Sequence, residues 1–234
     1  MTNRESQPFY LAIIGHDLYL SYFSSEEVNS NHQKKYLMPD TLDDNLNLTI
    51  LTKFILEKVK DFEKDVGSFI EKVNVITDAK YEQFSLSLKN KYSSNKINET
   101  DVVRLISDAK QFIMRNNKNC FILHVLVDKY IIDGNEYFEF PENLNYNELI
   151  IDVSFITVSN SIIKIFNRIL KDCNIEVKKF ISHQYSSRFA DDNDSSPCIA
   201  AKKVNDGINP LEVKIHNSKA QKQGLFEKMF NFFN

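Results

Sequence analysis

Glycine is scarce in this sequence, and its scarcity limits the chemistry that the chain can perform. Only 5 of the 234 residues are glycine, and the N-terminal region has a single one at a turn, Gly15. Phosphate-binding loops place several glycines where backbone N–H groups meet the ligand. The sequence therefore argues against nucleotide binding, and we expect no cofactor.

Cysteine and the common catalytic motifs are equally sparse. The 3 cysteines, Cys120, Cys173 and Cys198, lie far apart and are odd in number, which argues against a disulfide framework or a zinc site. His124 lies within an apolar run, where a histidine usually belongs to the core or to a sheet edge. The sequence has no HExxH, CxxC or GxSxG pattern. We therefore expect a protein that is not an enzyme and that holds no metal.

Neither positive charge nor apolar sequence is concentrated in one long stretch. The chain has 29 Lys and Arg against 32 Asp and Glu, so it has no basic field that would attract nucleic acid. No stretch reaches the ~18–20 apolar residues of a membrane-spanning helix. The apolar run at Phe9–Ile14 is shorter than a signal peptide requires. These features predict a cytoplasmic protein without a nucleic-acid partner.

Apolar residues are nevertheless abundant and periodic. Hydrophobic residues make up 42% of the chain, and 18 residues are phenylalanine, which is enough for a substantial core. Two apolar runs within 9–23 predict a hairpin, and the polar residues 24–45 predict a loop. Apolar spacings of three and four predict a helix over 46–66, and the run at 70–79 predicts a strand.

A denser pattern occupies residues 82–183. Its predicted elements follow the order strand, helix, strand, strand, strand, helix, strand. Asn98 is a suitable N-cap for the first of these helices, and the run 120–133 is too long and too rich in β-branched residues to be anything but a strand. The pattern predicts a compact α+β module of about a hundred residues.

The composition changes after Tyr185. Residues 186–222 contain few apolar clusters, which predicts a flexible linker. On a helical wheel, the apolar residues of 224–234 lie within an arc of roughly 160°, which favours a helix lying in the membrane interface; the alternative is a helix that packs back on the domain. The predicted membrane-binding residues are Leu225, Phe226, Met229, Phe230, Phe232 and Phe233.

Residues 97–183 resemble part of the FtsA family of bacterial cell-division proteins. The part that they resemble is the inserted 1C subdomain, a strand–helix–two-strand (SHS2-type) module. The stretch that corresponds to the family pattern ILH…Y.IDG is the most specific part of the resemblance. The matching residues are Ile97, Asp101, Val102 and Ala109; Ile122, Leu123, His124, Tyr130, Ile132, Asp133 and Gly134; Pro141 and Leu149; Ile156 and Thr157.

The regions on either side extend the resemblance, with departures. The hairpin at 9–23 is similar to the first hairpin of the actin-like core, but without the glycine-bearing phosphate loop, and the second phosphate loop is missing. The resemblance implies a remnant of the N-terminal subdomain at 1–80, a 1C-like SHS2 domain at 81–185, a disordered linker at 186–222 and an amphipathic membrane-targeting helix at 223–234. The implied fold class is α+β, with a partial actin-like segment.

The function that the resemblance implies is that of a membrane-tethered adaptor of the division machinery. Its expected partners are FtsZ or FtsN-like division proteins, further copies of itself and lipids of the bacterial inner membrane. The expected location is the cytoplasmic face of that membrane, at the division site. Two alternatives remain open, namely a divergent actin-like ATPase and an SHS2 interaction module of a pilus-assembly-type complex.

Overall fold

The structure is a computed structural model, and it describes residues 9–24, 32–39, 48–97, 99–141, 144–194 and 196–213. The helices are α1 (Leu48–Val66), α2 (Glu99–Asn116), α3 (Asn160–Asp172), α4 (His183–Ser186) and α5 (Pro197–Asn205). The strands are β1 (Phe9–Ile14), β2 (Asp17–Tyr22), β3 (His32–Leu37), β4 (Lys72–Thr77), β5 (Glu82–Lys96), β6 (Cys120–Ile132), β7 (Asn135–Tyr137), β8 (Asn145–Ser159) and β9 (Glu176–Ser182).

The chain forms two compact units, and each combines helical structure with one sheet. The first unit combines Met1–Lys80 with Ser161–Ile208, and the second combines Tyr81–Asn160 with Asn209–Asn234. The α+β class predicted from the sequence is confirmed.

The sheet of the first unit has the strand order β3-β2-β1-β4-β9. Strand β1 pairs antiparallel with β2 and parallel with β4, which in turn pairs parallel with β9. Both faces of the sheet are covered: Phe9 contacts Phe62 of α1 on one face, and Tyr10 packs with Cys198 and Ala201 of α5 on the other. This two-sided burial explains why β1 is an unbroken apolar run.

The sheet of the second unit has the strand order β5-β8-β6-β7, and all of its pairs are antiparallel. Helix α2 packs on one face through an apolar stripe that includes Val102, Ile106, Ala109 and Ile113. The stripe meets the alternate residues of β8, such as Val153, because the period of a helix and the period of a strand each present one apolar side. This unit is the strand–helix–strand–strand module that the sequence predicts.

Two of the predicted domain boundaries are wrong. Residues 81–185 were assigned to a single SHS2 domain, but α3 and β9 belong to the first unit, because β9 completes its sheet beside β4. The predicted linker 186–222 is wrong over its first part: α5 lies within it, and Cys198 and Ala201 are fully buried. The loop predicted for 24–45 contains β3, which pairs with β2.

Candidate interaction surface

Strand β5 is an edge strand of the sheet of the second unit. Strand β5 pairs with β8 from Glu82, opposite Thr157, to Lys96, opposite Asn145. Within the described part of the chain, β8 is the only strand that pairs with β5. An edge of this kind offers a row of backbone donors and acceptors to an extended segment of another chain.

The hydrogen bonds on β6 reveal which residues of β5 direct their backbone groups outward. Val125 and Val127 bond to the segment 211–213 on the outer side of β6, and neighbouring residues of a strand point to alternating sides. The backbone N–H and C=O of Leu126 therefore point toward its β8 partner Ser154, and those of Ser154 point back toward β6. Ser85 is the partner of Ser154 on β5, so its backbone groups point outward from the open edge of the sheet.

The same alternation extends along β5. The register between β5 and β8 is regular from Glu82 to Lys91, so Gln83, Ser87 and Lys89 also direct their N–H and C=O groups outward. Their neighbours Phe84, Leu86 and Leu88 pack their side chains against the α2 core, which fixes the register of the strand. The result is a rigid edge with several outward donors and acceptors.

A serine–aspartate network covers the sheet face opposite α2. The hydroxyl of Ser154 donates to Asp128 over 2.6 Å and lies 3.0 Å from the hydroxyl of Ser85. The hydroxyl of Ser87 donates to Asp152 over 2.6 Å. These side-chain bonds cross three strands, so they hold the edge strand to the rest of the sheet.

The charges beside the network are paired with one another. Lys89 Nζ lies 2.7 Å from Glu148 Oε2 and Lys91 Nζ lies 3.8 Å from the same oxygen. The hydrogen bond from Lys89 holds the pKa of Glu148 below its usual value, and the pairing with Glu136 raises the pKa of Lys129. The edge therefore presents a mixed-charge surface to a partner.

The turn between β6 and β7 explains why the IDG part of the sequence pattern has these residues. Asp133 has φ 47° and Gly134 has φ 87°, a backbone conformation that suits Asp, Asn and Gly. The carboxylate of Asp133 accepts hydrogen bonds from the N–H groups of Asn147 and Glu148 at 3.1 and 2.8 Å. The acid thus fixes the start of β8, and Asp128 binds a different partner, Ser154.

The histidine of the same pattern is part of a buried pair. His124 Nδ1 lies 2.8 Å from Glu212 Oε1, and the two side chains are 0% and 5% exposed. The sequence predicts a core or edge position for His124, and this prediction is confirmed. Glu212 was missed, since it lies in the predicted linker and the alternation of Leu211, Glu212 and Val213 is too short to predict a strand.

A carboxylate binds the backbone at the turn of the first hairpin. Gly15 and His16 form a two-residue turn between β1 and β2, and Gly15 has φ 56°. The N–H of Gly15 donates to Asp78 Oδ2 over 2.8 Å. His183 is half-buried, and burial lowers its pKa.

The predicted membrane-binding residues Leu225, Phe226, Met229, Phe230, Phe232 and Phe233 lie outside the described residues. None of the helices within the described ranges is long and apolar enough to cross a lipid bilayer. The same ranges contain no group of three His, Cys, Asp or Glu side chains placed to hold a metal ion.

Residues 80–157 match the family model described as "SHS2 domain inserted in FTSA". The match covers a third of the chain and confirms the SHS2-type module predicted from the sequence. It does not extend to FtsA as a whole. In the structure the module is likewise an insertion, because it lies between β4 and α3 of the first unit.

Three solved structures are partly similar to this chain. The PilM–PilN type IV pilus biogenesis complex is 10% identical over 77% of this chain, with a TM-score of 0.43. The cytoplasmic domain of EpsL, an inner-membrane component of the type II secretion system of Vibrio cholerae, is 12% identical over 77%, with a TM-score of 0.38. A Bacteroides thetaiotaomicron protein of actin-like ATPase fold and unknown function is 13% identical over 81%, with a TM-score of 0.35.

This chain spans 48%, 59% and 60% of the lengths of those three chains. No curated protein matches its sequence. The family model alone identifies a part of this chain, and that part is the SHS2 module of the second unit.

Proposed function

We propose that this protein is a non-enzymatic adaptor of the bacterial division machinery. Its SHS2 module binds division proteins such as FtsZ or an FtsN-like protein, or a further copy of the chain. Its C-terminal segment, residues 223–234, holds the module at the cytoplasmic face of the inner membrane. Neither ATP nor another cofactor takes part.

The observation that supports the adaptor role best is the β5 edge of a module that matches the FtsA insertion. An extended peptide that adds to a sheet edge gains affinity from main-chain hydrogen bonds and specificity from side-chain contacts. The outward backbone groups of Ser85 and Ser87 provide the main-chain hydrogen bonds. The serine–aspartate network beside them provides the side-chain contacts. The paired charges offer no single-sign field that would favour a nucleic acid.

The composition of the C-terminal segment supports the membrane role. Residues 224–234 separate apolar from polar residues on a helical wheel, which is the pattern of an interfacial helix. Lys214, Lys219 and Lys222 precede it, and each lysine near an anionic surface contributes about 1 kcal/mol. One short anchor is weak, so self-association would add avidity.

Substitution of Ser87 by proline tests the β5 edge. Ser87→Pro removes an outward N–H from an edge strand, where proline is tolerated, so we expect affinity for a partner to fall about tenfold or more. Ser87→Ala is the matched control, because it removes the same hydroxyl bond to Asp152 but keeps the N–H. Binding of purified FtsZ and of the cytoplasmic FtsN segment is measured by biolayer interferometry.

Equal binding by Ser87→Pro and the unsubstituted protein would show that the β5 edge is not the docking surface. If neither FtsZ nor FtsN binds the unsubstituted protein, the assignment to division is contradicted. A fluorescent fusion gives an independent readout: a mid-cell band is expected, whereas a polar or diffuse signal favours a pilus-assembly-type role.

Vesicle co-sedimentation tests the membrane role. The intact chain is expected to pellet with vesicles that contain anionic lipid. Phe226→Glu/Phe230→Glu places two charges on the apolar side of the predicted helix and should leave the protein in the supernatant. Phe138→Glu is a suitable control, since Phe138 is 64% exposed on the folded module. Equal pelleting of all three proteins, or of none, would rule out this anchor.

A further inference from the structure

A short segment after α5 closes part of the outer edge of β6. The N–H of Val127 donates to the carbonyl of Leu211, and the N–H of Val213 donates to the carbonyl of Val125, both over 2.9 Å. Leu126 and Glu212 lie opposite each other in this antiparallel contact. We name residues 209–213 the C-terminal clasp.

The clasp is a specific contact, because it is buried as well as hydrogen-bonded. Val213 is only 2% exposed and belongs to the apolar core of the SHS2 module. Glu212 reaches His124 within a site that almost excludes water, with 0% and 5% of the two side chains exposed. A buried polar group that loses its partner costs considerable free energy. The pair therefore favours one position of the clasp on β6.

The turn at the start of the clasp is also fixed. The side-chain carbonyl of Asn209 accepts the N–H of Leu211 over 3.0 Å, and its backbone carbonyl accepts the N–H of Glu212 over 3.1 Å. Asn and Pro at the start of a turn pre-set its backbone, and Pro210 follows Asn209. The chain thus enters the clasp in a defined direction.

The clasp changes the length of chain that separates the folded protein from its C-terminal segment. A linker over 186–222 would have 37 residues and a maximum reach of roughly 130 Å. With the clasp in place, nine residues, 214–222, separate the last contact that the structure describes from the C-terminal segment. Whatever their conformation, nine residues span at most about 32 Å.

We propose that the clasp is the point at which the membrane tether is attached to the folded protein, and that this attachment holds the SHS2 module itself close to the lipid surface. This inference rests on the proposed function of residues 223–234. A short tether on the partner-binding module raises the effective concentration of the β5 edge near membrane-bound partners. The clasp also occupies part of the β6 edge, so an incoming strand is directed to β5.

Amide hydrogen exchange of the full chain without lipid tests the clasp alone. Glu212→Ala should speed exchange of the Val213 and Val127 amides about tenfold or more, with no change at Val153 in the centre of the sheet. Glu212→Gln is the conservative control, because its amide still reaches His124, and it should restore most of the protection. Equal protection of Val213 in Glu212→Ala and the unsubstituted chain would overturn the role of the pair.

A disulfide across the clasp tests the tether on membranes. The two amide bonds flank the pair Leu126 and Glu212, so this is a close, non-hydrogen-bonded pair whose spacing suits a disulfide. In Leu126→Cys/Glu212→Cys, the oxidised and reduced forms should pellet equally with anionic vesicles. Pelleting of the reduced form alone would show that the clasp must open, which overturns the proposal.

The two experiments separate the two possible failures. If the unsubstituted chain does not pellet with vesicles, the anchor of the proposed function fails and the tether fails with it. If the chain pellets but Val213 is unprotected from exchange, the anchor stands and the clasp is wrong.

Discussion

The thiol of Cys198 lies in the core of the first unit, in a region whose sequence reads as a linker. The residue is fully buried and packs with Tyr10 and Ala12 of β1. Burial raises the pKa of this thiol to about 11, with smaller opposing effects from the hydroxyls of Ser21 and Ser196. The cause is the cost of placing a thiolate in surroundings with little water.

This shift predicts that the protein loses stability at alkaline pH. The folded pKa is raised, so the contribution is fully present below the unfolded pKa of about 9 and is lost as pH rises toward 11. At pH 10 the loss from Cys198 is on the order of 1 kcal/mol in the free energy of unfolding. Urea titrations at pH 7 and pH 10 measure it.

Cys198→Ala is the matched variant for this measurement. It removes the titrating group but keeps a small apolar side chain, so its fall in stability between pH 7 and pH 10 should be smaller by about the same amount. Burial is the largest cause of the raised pKa of Tyr10 and the charge of Cys198 is the smallest, so Tyr10 contributes nearly equally to both proteins. An identical fall in the two proteins would contradict the burial of the thiol.

Helix α5 is the clearest example of an element that the average composition of its region does not predict. The signals for a helix are present: Ser196 is its N-cap, Pro197 begins the helix, and Cys198, Ala201 and Val204 form its buried side. A serine N-cap followed by proline is a typical helix start. The surrounding polar residues and the acidic run at 191–194 favour a linker when composition is averaged, and the small apolar side chains weaken the pattern.

The cap of α5 gives a prediction at the scale of this element. The Ser196 hydroxyl accepts the N–H of Cys198 over 3.2 Å, so Ser196→Ala should lower the free energy of unfolding by about 1 kcal/mol. Ser187→Ala removes an exposed hydroxyl bond and should change it by less than about 0.5 kcal/mol. Urea denaturation followed by circular dichroism compares the two. Equal, small effects would indicate that residues 196–205 are not a packed helix.

The elements with strong periodicity were predicted well. The helix expected over 46–66 is confirmed as α1, the long run 120–133 as β6, and the hairpin of 9–23 as β1 and β2. Strand β3 was missed because its side chains are mostly exposed and polar, so no alternation marks it. The clasp was missed because three residues are too few to establish a period.

At the scale of the whole molecule, the sequence hides the discontinuity of the first unit. Strand β9 follows the SHS2 module along the chain but pairs with β4, whose residues lie about a hundred positions earlier. Local patterns predict individual helices and strands. The pairing of β9 with β4 instead depends on contacts between segments that are distant in the sequence. The β5 edge and the pair of His124 with Glu212 depend on pairing at similar separations, which is why the sequence indicated a candidate edge but not its geometry.

An insertion of this kind predicts that the first unit folds without the SHS2 module. The module begins and ends on adjacent strands, since Glu82 lies opposite Thr157, so a short Gly-Ser linker from Lys80 to Ser161 can replace residues 81–160. The deletion protein should unfold cooperatively in urea, with an m-value lower than that of the whole chain because less surface is exposed on unfolding.

The cysteines report whether the deleted protein has kept its native packing. Removal of residues 81–160 eliminates Cys120 and leaves Cys173 and Cys198, both buried in the first unit. Burial raises the pKa of each to about 11, so both should resist alkylation at pH 8 until urea unfolds the protein. The matched control is the deletion protein with Ile76→Asp, which places a charge in the core beside Cys198 and should expose both thiols. Rapid alkylation of the deletion protein without urea would mean that the first unit needs the inserted module in order to fold.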